Sequence, residues 1–174
     1  MASRGKNRGA VGELGTLTRH LSPEEVTALR SSMSVRAVPA NTTLITAGEH
    51  NDTLFFVTQG EFLVALPFEK GPLFVGTRAQ NSWVGEVTLL DPGPASATVT
   101  AARDSEVLAL SAATLADLTR SHPALVAHLV RALSEDLAHR VRTAGVVLDE
   151  APARPAPGFF KGVFGRLFGG GSAP

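Results

Sequence analysis

Between residues 34 and 110 the chain is cut into short apolar runs at intervals of roughly 8–12 residues, too short for helices and too regular for loops. The runs are Leu44-Ile45, Leu54-Phe55-Phe56-Val57, Phe62-Leu63-Val64-Ala65-Leu66, Leu73-Phe74-Val75, Trp83-Val84, Ala97-Thr98-Val99-Thr100-Ala101 and Glu106-Val107-Leu108-Ala109-Leu110. Gly, Pro, Asn and Asp punctuate them, and no helical stretch separates one run from the next. This pattern predicts about eight short strands in a sandwich or barrel and excludes a parallel βαβ fold.

Helical signals lie on both sides of this segment. Before it, Ser22 is placed to cap a helix, Pro23 suits the first helical position, and Glu25 completes a capping box. Val26, Leu29 and Met33 continue the apolar stripe of that helix. After it, residues 112–119 read as a short helix, and Ser121-His122-Pro123 opens a longer one to about Ala144. Val126, Val130, Leu133 and Leu137 on the long helix step by four and three, near-heptad spacing that suits a partner helix in a homodimer. Packing of the same helix on its own barrel fits the pattern equally well.

The 174 residues carry 16 basic and 16 acidic side chains. The zero sum is a cancellation. Arg4, Lys6 and Arg8 at one end and Arg154, Lys161 and Arg166 at the other leave 10 basic against 16 acidic residues, a net of −6, between residues 12 and 151. An acidic body lacks the basic excess that phosphate neutralisation on DNA requires. Cysteine is absent, which removes disulfides, thiolate metal sites and thiol nucleophiles. The N-terminus lacks the apolar stretch of a secretory signal and no run of 18 apolar residues occurs, so a cytoplasmic protein is expected.

A helix, an eight-strand roll and two further helices resemble the cyclic-nucleotide-binding domain of the catabolite-activator and protein-kinase-A regulatory family. Three local matches carry the resemblance, which covers roughly residues 15–146. Pro39-Ala40-Asn41-Thr42-Thr43-Leu44-Ile45 with Gly48-Glu49 is similar to the family's opening strand and turn. Asp52 to Glu61, with Gly60 at a tight turn, resembles the next hairpin. Gly85-Glu86-Val87-Thr88-Leu89-Leu90, followed by Pro94 and Ala97-Thr98-Val99, looks like the family's phosphate-binding cassette. The resemblance implies an eight-stranded double-stranded β-helix, or jelly roll, with an N-terminal helix and C-terminal helices.

In such a cassette Gly85 lets backbone amides approach an anion, and a short helix opening near Glu86 aims its first amides at a phosphate. The resemblance implies that Glu86 accepts a hydrogen bond from a ribose hydroxyl, a task that suits an acceptor-only carboxylate. Val87 and Ser96 complete the implied nucleotide site. Ala95, however, stands where the family pattern has an arginine on the cyclic phosphate. A charge-assisted pair of that kind is worth about 1.5–3 kcal/mol, so its loss weakens binding roughly ten- to a hundredfold. Asp91 adds a negative charge in the same loop, and Ser96 offers one neutral hydrogen bond. Arg78 and Arg103 on neighbouring strands read as solvated surface residues. No cofactor is therefore assigned; cAMP, or another cyclic nucleotide such as cGMP or a cyclic dinucleotide, is the ligand the resemblance would supply.

Other chemistries find no footing. His20, His50, His122, His128 and His139 show no metal-ligand spacing, and neither a Gly-x-Ser-x-Gly elbow nor a phosphate loop occurs, so no enzyme is expected. The activator branch of the family carries a helix-turn-helix after its long helix. About 26 residues follow Leu148 here, rich in Pro, Gly and Phe, and no recognition helix or DNA partner is expected from them.

Four domains are expected: a basic N-terminus (1–12), the roll with its helices (13–148), a Pro/Ala linker (149–157) and a C-terminal peptide (158–174). If the peptide is helical, Phe160, Val163, Phe164, Leu167 and Phe168 form an apolar stripe, with Phe159, Lys161 and Arg166 at its margins. Such a peptide can dock in a partner's groove, lie in a membrane interface or fold back on its own barrel. The expected protein is a non-enzymatic regulatory or adaptor module, dimeric and docked to a partner or membrane surface through this peptide. A cyclic-nucleotide sensor whose ligand controls exposure of the tail is the alternative.

Overall fold

A computed structural model describes Leu14, residues 19–68 and residues 71–147, with side chains to residue 143. The C-terminal peptide, the linker and the basic N-terminus lie outside the described residues. Helix α1 (Pro23–Ser31) leads into strands β1 (Ser34–Val38), β2 (Thr43–Ile45), β3 (Thr53–Gln59), β4 (Glu61–Leu66), β5 (Leu73–Ala79) and β6 (Trp83–Val84). A short helix α2 (Glu86–Leu90) precedes β7 (Thr98–Ala101) and β8 (Ser105–Ser111), and α3 (Ala112–Ser121) and α4 (Pro123–Val147) close the order. The chain divides into two compact units, Met1–Asp136 and Leu137–Pro174, with the boundary inside α4.

The strands form two antiparallel four-stranded sheets, β1-β8-β3-β6 and β2-β7-β4-β5. Consecutive strands alternate between the sheets except at the β4–β5 hairpin, whose two strands pair within one sheet, and the whole is the expected jelly roll. Strand β3 shows why its apolar run does not alternate with polar residues. Leu54 and Phe56 face the helices, together with Leu108, Leu110 and Trp83, against Leu29, Leu125 and Leu129. Phe55 and Val57 face the roll interior with Val38, Val84 and Val107 of the same sheet and Ile45, Phe62, Val64 and Val99 of the other. A strand buried on both faces needs an unbroken apolar run. Phe56 and Trp83 touch in a tilted arrangement with centroids 4.6 Å apart.

Strand β1 is the element the sequence does not delimit. Its first four residues are exposed and only Val38 is buried, because it is an edge strand of its sheet. The hairpin between β3 and β4 turns at Gly60, φ +98°, where a side-chain carbon would collide with Ser105.

The capping box of α1 forms as read: the Glu25 amide donates to Ser22 Oγ (3.2 Å) and the Ser22 amide to Glu25 Oε2 (2.8 Å). Glu25 also meets His128 Nδ1 of α4 (3.0 Å), and His20 Nε2 meets Glu135 (2.8 Å). Donation from the Ser22 amide, aided by His128, holds the Glu25 carboxyl below its ordinary value. Arg131, with help from His20, does the same for Glu135.

The long helix packs on its own roll, the second of the two expectations, and this removes Leu133 from the expected dimer seam. Leu125, Leu129, Ala132 and Leu133 are the buried positions, and all belong to one apolar cluster with Val26 and Leu29 of α1 and the outer-face residues of β3 and β8. Leu133, 1% exposed, belongs to the chain's own core and is not available to a partner. Val126 and Val130 are half-buried beside it, and Val126 leans on the same core. Near-heptad spacing misplaced the stripe because a helix pressed on a flat sheet buries a wider face, i, i+4, i+7 and i+8, than a coiled-coil seam does.

Candidate nucleotide-binding cassette

Strand β6 ends at Val84 and the chain turns through Gly85 with φ +88°, the left-handed region open to glycine. Helix α2 begins at once, and no side chain caps its first amides. The close approach is also steric. A side-chain carbon on Gly85 would stand 2.4 Å from the carbonyl oxygen of Thr53 and 3.1 Å from Asn51 Nδ2. Asn51 fixes this corner by donating to Thr53 O (2.9 Å) and to Thr88 Oγ1 (2.7 Å), and Thr88 Oγ1 donates to Gly85 O (3.2 Å). Thr88 is buried, which a lone hydroxyl tolerates only when bonded. The roles of Asn51 and Thr88 were missed by sequence reasoning, since an Asn in a turn-rich stretch and a Thr in a short helix are ordinary there.

Glu86 is buried, 6% exposed, at the first position of α2. Val87 turns outward and is exposed. The return loop is then laced to the loop after β2. The Ala95 amide donates to Glu49 O and the Gly48 amide to Ala95 O, both at 2.8 Å, His50 and Pro94 form a bridge, and the Ala47 amide donates to Thr98 Oγ1 (3.1 Å). Ala95 is 7% exposed and lies in the interior apolar cluster with Ile45, Val84 and Val99. Ser96, the next residue, is exposed. Gly85, Glu86 and Ala95 thus belong to one corner of the roll, while Val87 and Ser96 face outward.

The two arginines on adjacent strands differ. Arg103 is exposed and lies 3.7 Å from Glu61. Arg78, read as a solvated residue, instead stands opposite Phe62 on the inward side of β5 and is half-buried, with Nη1 donating to the Thr77 carbonyl (2.8 Å).

A jelly roll flanked by helices, with a glycine-opened short helix between its sixth and seventh strands, defines the class of cyclic-nucleotide-binding folds. The model of the cyclic nucleotide-binding domain matches residues 35–122, which is 88 of the 174, and the chain belongs to that family. An uncharacterised NTE family protein of Mycobacterium tuberculosis is 30% identical over 135 residues, 73% of this chain and 23% of that protein. The chain therefore spans about a quarter of the length of that relative. The crystal structure of a cyclic nucleotide-binding domain from Methylobacillus flagellatus superimposes with a TM-score of 0.71 at 27% identity, over 77% of this chain and 76% of that one. The catabolite activator protein of Thermus thermophilus gives 0.67 at 32% identity, over 78% and 62%.

Proposed function

We propose that this protein is a non-enzymatic regulatory module in which the nucleotide cassette has become a structural element and that it acts as an adaptor. The observation that carries this reading is Ala95. At the position where the family resemblance implies a guanidinium, the chain has a methyl group packed into the roll interior, on a backbone held at both its amide and its carbonyl. Without that cation, an anionic ligand would have to leave water for an apolar wall with Asp91 in the adjoining loop.

A sensor of cAMP, cGMP or a cyclic dinucleotide is the second reading. Gly85 in the left-handed region and the buried Glu86 favour it, since both are the parts of the cassette that would meet a cyclic phosphate and a ribose. Thermal-shift measurements against cAMP, cGMP and cyclic dinucleotides, on the unmodified protein and on Ala95→Arg, separate the two. A ligand-dependent shift of the unmodified protein overturns the adaptor reading.

The output elements of the module are the long helix and the C-terminal peptide. A second copy pairs along α4 through Val126, Val130 and Leu137, and the peptide 158–174 docks to a protein partner or membrane surface through Phe159, Phe160, Lys161, Val163, Phe164, Arg166, Leu167 and Phe168. Support for the pairing comes from the exposed Val141, which extends the apolar line of Val130 and Leu137 at helical spacing. Deleting residues 158–174 and following localisation and complex formation tests the docking role, which unchanged behaviour would remove.

A further inference from the structure

A recess lies beside the start of β3, where Thr53 is one of its lining residues. It is a cleft of about 290 Å³ between the start of β1, the end of β8 and the start of α3. Phe55 and Ala109 form its apolar floor. Its polar wall is set by register. Ser34 pairs with Ala109 and Arg36 with Val107, and both partners belong to the roll interior. Residues paired across antiparallel strands project to the same face, so Ser34 and Arg36 lie on the interior-facing side of an edge strand, where both remain exposed.

The Arg36 guanidinium makes no hydrogen bond or ion pair among the described residues, and Ser34 makes no side-chain hydrogen bond there. A third donor comes from the far wall. Ser111 Oγ and Thr114 Oγ1 are 2.9 Å apart, and whichever donates, the hydroxyl hydrogen of the other remains for a ligand. Thr53 lines the same cleft but donates to Asp52 Oδ1 (2.9 Å), so it offers lone pairs only. One guanidinium and two hydroxyl donors converging over an apolar floor match an oxyanion group carried on a small body.

We propose that this cleft binds a small oxyanion, the phosphate or carboxylate group of a metabolite, through Arg36, Ser34 and the Ser111–Thr114 pair. The site does not depend on nucleotide binding at Gly85-Glu86. It is nonetheless joined to the cassette by one residue: the Thr53 side chain lines the cleft, while its carbonyl is the atom that Asn51 and Gly85 press against. Occupancy of the cleft is therefore felt at the cassette through β3.

Amide chemical shifts of the full chain, titrated with inorganic phosphate and separately with acetate at constant ionic strength, test the proposal. Saturable shifts are expected at Ser34, Arg36, Ser111 and Thr114. Arg36→Gln should weaken binding about tenfold or more and Ser34→Ala severalfold, while Arg103→Gln, at an exposed arginine that does not line the cleft, leaves it unchanged. Saturation by phosphate alone identifies a phosphate ester as the ligand class, and saturation by acetate alone a carboxylate. Saturation by neither overturns the proposal. So does equal binding by Arg36→Gln together with new self-association, because Arg36 would then be only an inward charge that guards the edge of β1.

Discussion

The carbonyl oxygen of Thr53 stands where a side chain on Gly85 would have to begin, 2.4 Å from the position of that carbon. The contact ties the opening of the cassette to the first residue of β3, and it requires glycine twice over, by conformation and by space. Gly85→Ala should therefore lose more than about 2 kcal/mol, combining the 1–2 kcal/mol of a left-handed alanine with displacement of backbone. Urea unfolding of the variant checks this, and a loss below about 0.5 kcal/mol would mean that the corner relaxes freely.

Leu133 and Val130 separate core from surface on α4. Leu133→Ala should cost about 2–5 kcal/mol, as a fully buried leucine does. Val130→Ser should leave monomer stability within about 1 kcal/mol and alter only self-association. Denaturant midpoints and sedimentation velocity on the same samples report the two effects separately.

Removal of the Ser22 hydroxyl opens the capping box of α1. Ser22→Ala should cost about 1 kcal/mol by chemical denaturation, and Ser22→Asp should restore most of it, since aspartate caps equally well.

The Glu25 carboxyl is held below its ordinary value of 4.5 by the Ser22 amide and by His128. A depressed carboxyl stabilises the fold fully above the unfolded value and loses that contribution as pH falls through the folded one. Stability should therefore decline below about pH 4.5, and Glu25→Gln should flatten part of that decline while lowering stability at neutral pH. Denaturant midpoints between about pH 3 and pH 7 measure both slopes; parallel profiles would show that Glu25 gains nothing from its partners.

The roll was legible because its strands are short, apolar and punctuated, and the cap of α1 because Ser22, Pro23 and Glu25 act over three residues. Gly85, Glu86 and the substitution at Ala95 were legible as a local motif. Strand β1 was not delimited, since Ser34-Val35-Arg36-Ala37 owe their conformation to pairing with β8 rather than to burial. The buried stripe of α4 was misplaced for a similar reason: the width of a helix's buried face depends on what it packs against. Nor could the sequence show that Asn51, Thr53 and Thr88 meet Gly85, because that meeting spans three separate segments. The inward positions of Arg36 and Arg78 are matters of strand register, which composition does not encode.

The central claim is that Ala95 leaves the cassette as architecture without nucleotide affinity. Isothermal titration calorimetry of the unmodified full chain with cAMP, cGMP and cyclic dinucleotides tests it most directly. Ala95→Arg, at a buried position, is measured beside it with circular dichroism as the check on folding. No saturable heat is expected for the unmodified protein. Micromolar binding of any of these nucleotides by the unmodified protein, abolished in Glu86→Gln, would contradict it.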